Sequence, residues 1–238
     1  MLSSNQVLSI GSVARPSSSP RMVRRKLATR AKFLQAAYKT MVTKGIEATT
    51  LQDISKEADI GFGTFYNYFS DKDDLAGQVL DCIIHDIGKR NDIALAEIKA
   101  KAPNLIIPSS IRLLMREAME DSMWQWWVRR PDLLFSRIQV GFKPFGIRDL
   151  DMGVALNIYE IAGSDVEAIW KIIMWILVGG MREAAMGNYS SKHENLTIEA
   201  IFRVLGVAPE ECKRYTKTPL PEYPSANIDF YFSLPSQS

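Results

Sequence analysis

Two short stretches of the 238-residue chain bring together side chains that are able to do chemistry. In the first, Cys82 and His85 stand three positions apart, with Asp81 and Asp86 beside them. A thiol and an imidazole at that spacing on a helix suit nucleophilic catalysis or half of a metal site. The sequence around them offers no third ligand, base-orienting motif or glycine-rich phosphate loop. We therefore expect no enzyme activity, no metal and no cofactor.

The second stretch is "IGFGTFYNYFSDK", residues 60–72, which carries five aromatic residues within eight positions. A helix packed on a core buries only one or two rings per turn, so some of these rings must face outward. Phe65 and Phe69 are predicted to point into the core. The outward set is then Phe62, Thr64, Tyr66, Asn67 and Tyr68. Hydroxyl groups bind phosphates and an amide reads base edges, which favours a nucleic-acid contact.

The charge of the chain is unevenly distributed. The total is +2, but residues 1–60 carry +6 and residues 61–238 carry −4. A basic end suits a polyanion, although a solvated charged surface is an equally ordinary use of such residues. The same two alternatives stay open for a basic N-terminal arm that would enter a minor groove or follow phosphates: Arg15, Arg21, Arg24, Arg25 and Lys26.

The elements that must position these residues are helices. Residues 1–23 are rich in Ser and Pro and are predicted to be a disordered arm. An apolar stripe predicts a first helix over 24–44 that ends at Gly45. Thr50 and Asp53 form a predicted capping box, so a second helix starts at Leu51. Asp59 tolerates a left-handed turn before a third, short helix over 62–69, and a fourth helix runs to about residue 101.

Two short helices joined by a tight turn predict a helix-turn-helix. The stretch "TTLQDISKEADIGFGTFYNYFSDKDDL" resembles the DNA-binding region of TetR/AcrR-type transcriptional regulators over residues 24–80. Asp59 replaces the glycine usual in that turn, and Gly61 replaces the usual capping serine, which removes one phosphate contact. The resemblance implies a helix-turn-helix DNA-binding domain whose contacts are Thr50, Thr64, Tyr66, Tyr68 and Lys72. Phe62 and Asn67 join the set from their outward placement.

The remaining sequence reads as further helices separated by proline and glycine, which gives an all-α fold. We place the helices at about 109–129, 131–140, 146–162, 165–187 and 195–205. Residues 81–212 are interpreted as a larger helical domain for effector binding and dimerisation. Residues 213–238 are interpreted as a Pro-rich tail, whose "IDFYF" is too apolar to float freely in solvent.

Aromatic and methionine residues in the larger half either line an apolar cavity or simply pack the core. The family resemblance favours a cavity for a small, largely apolar effector, between the fourth helix and the helices at 109–129 and 146–187. The candidate ligand-binding residues are Arg112, Arg116, Trp124, Gln125, Trp127, Tyr159 and Trp170. Arg112 and Arg116 have an alternative use, since both stand near Glu120 on one helix face.

Residues 165–205 are apolar in too many directions for the surface of a monomer. Gly179 and Gly180 permit close backbone approach. One face is therefore predicted to meet a second subunit, and a helix buried within one chain is the alternative. In the family that the sequence resembles, the last two helices form a four-helix dimer interface.

These observations predict a homodimeric, sequence-specific regulator that binds near-palindromic double-stranded DNA. We expect a repressor that a small effector releases from its operator. The alternatives are an enzyme that uses Cys82 and His85, or an architectural DNA-binding protein without a ligand. Two isolated cysteines fit a reducing compartment, and no apolar run reaches the ~20 residues of a membrane span. The expected location is therefore the cytoplasm.

Overall fold

The chain is helical throughout the part that the structure describes. The structure is a computed structural model and describes residues 19–120, 122–161, 163, 165–187 and 189–234. Within those residues it contains no β-strand, so the predicted all-α class is confirmed. None of these helices combines the length and the apolar character needed to cross a membrane. The α-helices are α1 (Pro20–Lys44), α2 (Leu51–Ala58), α3 (Lys72–Ala94), α4 (Ala96–Lys101), α5 (Ile106–Glu120), α6 (Ser122–Val128), α7 (Pro131–Gly141), α8 (Lys143–Ala155), α9 (Val166–Met186), α10 (Ser191–Val204) and α11 (Pro209–Lys217).

Helix α1 begins at Pro20, earlier than the start at residue 24 that its apolar spacing predicts. Ser19 caps the helix by accepting a hydrogen bond from the Met22 amide at 3.4 Å, and Pro20 suits the first helical turn. Residues 20–23, which were predicted to belong to the disordered arm, are therefore helical. The rest of that arm, residues 1–18 with Arg15, lies outside the described residues.

Local capping defines α2 and the turn after it. The Thr50 hydroxyl accepts from the Asp53 amide at 3.1 Å, and the Asp53 carboxylate accepts from the Thr50 amide at the same distance. This capping box starts α2 at Leu51, as predicted. Asp59 ends the helix in the left-handed region with φ of 54°. The next element, Phe62–Asn67, is a 3₁₀ helix, which we call the reading segment.

The head, residues 20–80, is organised around aromatic rings. Phe33 of α1 is fully buried and meets the Phe65 ring edge to face, with the centroids 5.8 Å apart. The Phe69 ring contacts Phe33 in the same way at 6.0 Å. Phe65 and Phe69 are 0% and 2% exposed, so their predicted inward placement is confirmed. Two of the five rings therefore hold the head together.

Helix α3 passes from the head into the body, which comprises residues 81–217. Leu75 and Val79 are buried near its start, and Ile87 is buried near its end. The helix stops at Ala94, so the predicted single helix to residue 101 is wrong, and α4 follows as a separate element. The break occurs because Leu95 turns inward and packs against residues far along the chain, Ile106 and Leu113.

Helix α9 occupies the centre of the body and packs against α5, α6, α7, α8 and α10. Its contact with α10 depends on Gly180, where an added Cβ would clash with the Thr197 side chain. An added Cβ on the neighbouring Gly179 would meet open space. Of the two glycines expected to allow close approach, Gly180 does so within one chain.

Helix α11 overlaps the residues interpreted as the start of a tail, so the predicted boundary at residue 213 is wrong. Pro209 opens the helix, with Glu210 and Glu211 in its first turn, and Cys212 and Tyr215 anchor it in the core. Because several prolines follow α11, the sequence pattern predicted a tail that starts before the helix ends. The C-terminal segment, residues 218–234, has no helix, and it packs Ile228, Phe230 and Phe232 against the main core.

Candidate DNA interface and ligand cavity

The reading segment presents three of the predicted DNA contacts on the outside of the head. Tyr66 is 58% exposed and Phe62 is 44% exposed, and their rings meet edge to face at 5.8 Å. Asn67 is exposed next to them. The structure thus places an aromatic pair and an amide together on one surface. Their contact with DNA stays a prediction.

Thr64 and Tyr68 lie at the edge of this surface and are half-buried. The Tyr68 ring packs toward Phe33 at 6.0 Å, so its ring is partly used by the head core. Both residues line a groove that opens between the reading segment and the start of α1. Arg25 and Lys26 line the opposite side of the groove, which places positive charge beside the reading segment.

Lys72 and Thr50, the other two predicted DNA contacts, have structural partners. The Lys72 ammonium donates to three carbonyl oxygens of the loop that joins α1 to α2. These carbonyls belong to Ile46, Glu47 and Thr49, at 3.0, 3.2 and 3.0 Å. The Thr50 hydroxyl donates to the Asp53 carboxylate at 2.8 Å in the capping box. A DNA contact by either side chain would have to share or replace these bonds.

The same loop is tied to the body through Glu47, which the sequence analysis missed. Trp126 donates its indole N–H to Glu47 Oε1 at 2.6 Å, and Arg130 donates to the same oxygen at 2.8 Å. The hydrogen bond from Arg130, followed by that from Trp126, lowers the pKa of Glu47. Because Glu47 and Trp126 are 79 residues apart, no local pattern signals this contact.

A largely apolar cavity of about 90 Å³ lies inside the body. It is bounded by α3, α5, α8 and α9, which belong to the regions predicted to hold an effector. The walls are lined mainly by Leu95, Ile106, Ile107, Ile111, Leu114, Phe142, Phe145, Leu150, Trp170, Ile173, Met174 and Leu177. This volume is smaller than that of the apolar cavity of about 150 Å³ that admits benzene, so a compound of one ring would need the walls to move slightly apart.

Two glycines make room for the aromatic walls of the cavity. An added Cβ on Gly146 would clash with the Trp170 ring, and one on Gly88 would clash with the Phe145 ring. The Trp170 indole is oriented by its N–H, which donates to the Gln139 carbonyl at 2.8 Å. These contacts fix the positions of the two rings.

The charged groups that line the cavity are paired, whereas one uncharged side chain leaves a buried atom without a partner. Arg148 donates to Asp92 at 2.6 Å and to Asp149 at 2.8 Å, and these bonds raise the pKa of Arg148. Lys99 lies 3.8 Å from Asp149. These two cations and two anions therefore balance each other. The uncharged side chain is Asn91, whose buried side-chain oxygen has no hydrogen-bond partner in the structure.

Among the seven predicted ligand-binding residues, Trp170 lines this cavity and the others do not. Arg112 and Arg116 bind Glu194 of α10, with Arg116 Nε 2.8 Å from its carboxylate. Burial would raise the pKa of Glu194, but hydrogen bonds from Arg116 and Tyr189 outweigh it and lower the pKa. The expected alternative of ion pairing is therefore present, with Glu194 as the partner where Glu120 was expected.

The other predicted ligand residues support the core. Trp124 and Trp127 are each 1% exposed, and Tyr159 packs beside Phe202 with its ring centroid 5.9 Å away. Gln125 is half-buried on α6. A ligand role for Arg112, Arg116, Trp124, Gln125, Trp127 or Tyr159 stays a prediction that this cavity does not support.

Cys82 and His85 are each packed against other parts of the chain. Cys82 is buried, and burial raises the pKa of its thiol to about 12. The His85 ring stacks on Phe232 of the C-terminal segment, with the ring centroids 3.8 Å apart. Among the residues that the structure describes, no group of three or more His, Cys, Asp and Glu side chains is placed to hold a metal ion.

Exposed apolar side chains lie on both α9 and α10. Ile172 and Trp175 of α9 are 47% and 44% exposed, and Leu196 of α10 is 56% exposed. The Trp175 ring stacks on Phe135 with the ring centroids 4.0 Å apart. Phe202, which lies within the residues 165–205 predicted to meet a second subunit, is fully buried within its own chain.

The sequence is similar to known regulators in the head. Residues 33–79 match the family described as bacterial regulatory proteins, tetR family. An uncharacterized HTH-type transcriptional regulator of Bacillus subtilis strain 168, YhgD, is 31% identical over 63 residues. That match covers 26% of this chain and 33% of YhgD, so it spans about a third of the curated relative's length.

Solved structures resemble the chain over most of its length. RolR without ligand is 25% identical with a TM-score of 0.73, and the match covers 81% of this chain and 99% of RolR. RolR in complex with resorcinol gives 24% identity, the same TM-score, and coverage of 84% and 98%. FadR of Thermus thermophilus, a TetR-family repressor in complex with lauroyl-CoA, shares the fold at 17% identity and a TM-score of 0.56, with coverage of 76% and 97%.

Proposed function

We propose that this chain, which is a TetR-type transcriptional regulator that binds DNA, acts as a homodimeric repressor released from its operator by a small, largely apolar effector. The observation that carries the proposal is that one helix, α3, starts just after the outward-facing reading segment and ends at the wall of the apolar cavity. The head contributes the start of α3, and Gly88 and Asn91 near its end line the cavity.

DNA binding is assigned to the exposed face of the head. Phe62, Tyr66 and Asn67 would enter the major groove, while Thr64 and Tyr68 would meet its edge. The basic residues at the start of α1 would contact flanking phosphates. Because phosphate contacts release counterions, we expect binding to weaken steeply as the salt concentration rises.

The exposed apolar residues of α9 and α10 are assigned to a second copy of the chain. Ile172 and Trp175 lie three residues apart on α9 and Leu196 lies on α10, and a subunit contact across both helices would cover all three. A two-fold dimer presents two reading segments, so the operator should be nearly palindromic. Residues 165–205 remain the proposed interface.

The effector is assigned to the cavity between α3, α5, α8 and α9. A ligand that fits one position of α3 better than another would shift the head between two orientations. RolR binds resorcinol and FadR binds lauroyl-CoA in related folds. The 90 Å³ volume is much too small for lauroyl-CoA, and a single-ring ligand the size of resorcinol would need a modest outward movement of the cavity walls. The cavity also argues against the alternative of an architectural DNA-binding protein without a ligand, because such a protein would need a solid core.

The first experiment is to select bound sequences from a random DNA pool with the purified full-length protein. We expect a near-palindromic site that Tyr66→Ala binds at least tenfold more weakly, with unchanged binding by Lys101→Ala, an exposed lysine at the end of α4. Single-ring compounds are then screened for release of this DNA. Selection without any enriched sequence would overturn the proposal for the head, and a monomer in light scattering would overturn the dimer.

A further inference from the structure

We propose that the effector is a neutral, single-ring compound that carries a hydroxyl group, and that the Asn91 side chain binds this hydroxyl. This inference rests on the proposed effector function and specifies its ligand. Its starting point is Asn91 of α3, which lines the apolar cavity and whose buried side-chain oxygen has no hydrogen-bond partner. A buried acceptor without a partner is unfavourable, so a bound donor would relieve it.

A hydroxyl group suits this position because it can both donate and accept a hydrogen bond. The Asn91 amide offers an oxygen or an N–H2 group to the cavity, depending on which way the amide is turned. A hydroxyl satisfies either orientation. A ligand with only acceptor atoms would satisfy one orientation alone.

The charges around the cavity favour a neutral ligand. Arg148 is bound by both Asp92 and Asp149, and Lys99 faces Asp149. A carboxylate ligand would have to displace one of these carboxylates from Arg148, or it would bind in the cavity without a cation to pair with. A hydroxyl needs neither, because its own charge is zero.

The test is isothermal titration calorimetry with toluene, phenol, 1,3-dihydroxybenzene and benzoate on the wild-type dimer and on Asn91→Leu. For the wild type we expect phenol to bind about tenfold more tightly than toluene, which corresponds to one hydrogen bond. In Asn91→Leu the advantage of phenol should vanish while toluene binds as before. Ser110→Ala, at the other uncharged polar side chain of the cavity, should retain the preference.

Equal phenol affinity in wild type and Asn91→Leu would overturn the inference, as would benzoate binding more tightly than phenol. Operator release is measured in parallel, so that the two proposals fail separately. Release by toluene and phenol alike would leave the effector function intact and reject the role of Asn91. Binding of phenol without release of operator would support Asn91 and reject the proposed function.

A second inference rests on the C-terminal segment, which joins the head to the body. We propose that residues 218–234 act as a clasp that holds the head in its DNA-binding orientation. At the body end, Arg112 donates to the Thr218 carbonyl at 2.5 Å. Farther along, Asp86 accepts from the Asn227 amide at 3.1 Å, and the Arg90 guanidinium lies 4.6 Å from the centre of the Tyr223 ring.

The other end of the clasp reaches α1. Phe230 packs on Tyr38 with the ring centroids 5.6 Å apart, and Arg30 donates to the Phe232 carbonyl at 3.0 Å. The Phe232 ring also stacks on His85 of α3. The segment therefore bridges the first helix of the head and the helix that borders the cavity. A change in the spacing of α1 and α3 must break or shift these contacts.

The test compares Phe230→Ala/Phe232→Ala with Tyr231→Ala, which removes an exposed ring between them. We expect the double variant to bind operator about tenfold more weakly, as the loss of two docked rings would give. Amide exchange in α1 should rise while exchange in α9 stays the same. Tyr231→Ala should behave as the wild type.

The readouts separate a clasp from general stabilisation. If exchange rises equally in α1 and α9, the segment is an ordinary part of the core and the clasp is rejected. Unchanged operator affinity in the double variant would also reject it. A shortened chain that ends at Lys217 provides a second variant, for which the same selective change in α1 is expected.

Discussion

In the head, the outward side chains come from one stretch of eight residues, whereas the cavity in the body is lined by residues spread between positions 88 and 177. The two regions also differ in the contacts that stabilise them. Aromatic rings form the centre of the head, while the body adds buried ion pairs such as Arg90 with Asp86. The exposed surface of the head is therefore formed by residues close together in the sequence, whereas the cavity requires the fold to bring distant residues together.

The largest expected effect distinguishes the buried aromatic rings that stabilise the head from the exposed rings proposed to contact DNA. Phe65→Ala removes a fully buried ring and should lower the free energy of unfolding by about 3–5 kcal/mol. Tyr66→Ala removes its exposed neighbour and should change that free energy by less than about 0.5 kcal/mol while weakening operator binding. Urea unfolding and DNA titration measure the two effects. Similar stability losses in both variants would contradict the division.

The next effect concerns Lys72, whose ammonium group donates hydrogen bonds to three backbone carbonyls of the loop between α1 and α2. Lys72→Met should lower the free energy of unfolding by about 1–3 kcal/mol, because hydrogen bonds from a charged donor are lost. Lys56→Met, at an exposed position of α2, is the control and should have little effect. If Lys72→Met weakens DNA binding without loss of stability, the side chain acts mainly as a DNA contact.

The sequence predicted the head well because its determinants are local. Thr50 and Asp53 are three residues apart and fix the start of α2, and Asp59 ends it by its own backbone preference. The inward placement of Phe65 and Phe69 followed from helical spacing. The 3₁₀ form of the reading segment was not predicted, since the aromatic pattern alone does not distinguish it from an α-turn.

The body was predicted only in outline because its determinants are distant in sequence. The end of α3 depends on Leu95 meeting Ile106 and Leu113, and α11 was obscured by the prolines after it. Arg116 was offered as a ligand residue, yet its partner Glu194 lies 78 positions away. Trp170 alone among the seven candidates lines the cavity, because residue type indicates an aromatic wall but not which way it faces.

A pair of neighbouring glycines tests the packing of the body. Gly180→Ala places a methyl group against Thr197 and should lower the free energy of unfolding by about 1–3 kcal/mol. Gly179→Ala faces open space in one chain and should raise it by about 0.5–1 kcal/mol, as expected for a helix interior. Chemical unfolding measures both. If Gly179→Ala instead weakens self-association in light scattering, Gly179 lies in the subunit contact.

One carboxylate of the head, Asp53, and one of the body, Asp81, have opposite electrostatic settings. In the head, a hydrogen bond from Lys44 and then those from Thr50 lower the pKa of Asp53 to about 2. In the body, burial raises the pKa of Asp81 to about 6, although Arg137 opposes the shift. The ordinary pKa of both carboxyls is 3.8. Their contributions to stability should therefore depend on pH with opposite signs.

The smallest expected effect is the pH dependence of these two carboxylates. Asp53 binds protons less tightly in the folded state, so its contribution is present above pH 3.8 and is lost as the pH falls toward 2. Asp81 binds protons more tightly when folded, so its contribution is present below pH 3.8 and is lost as the pH rises through 6. Asp53→Asn should therefore flatten the stability profile below pH 4, and Asp81→Asn should flatten it between pH 4 and 6, measured by urea unfolding at each pH. Because Asp53 is exposed, salt should diminish its effect, whereas the effect of buried Asp81 should persist. A profile that changes in the same direction for both variants would contradict the contrast between head and body.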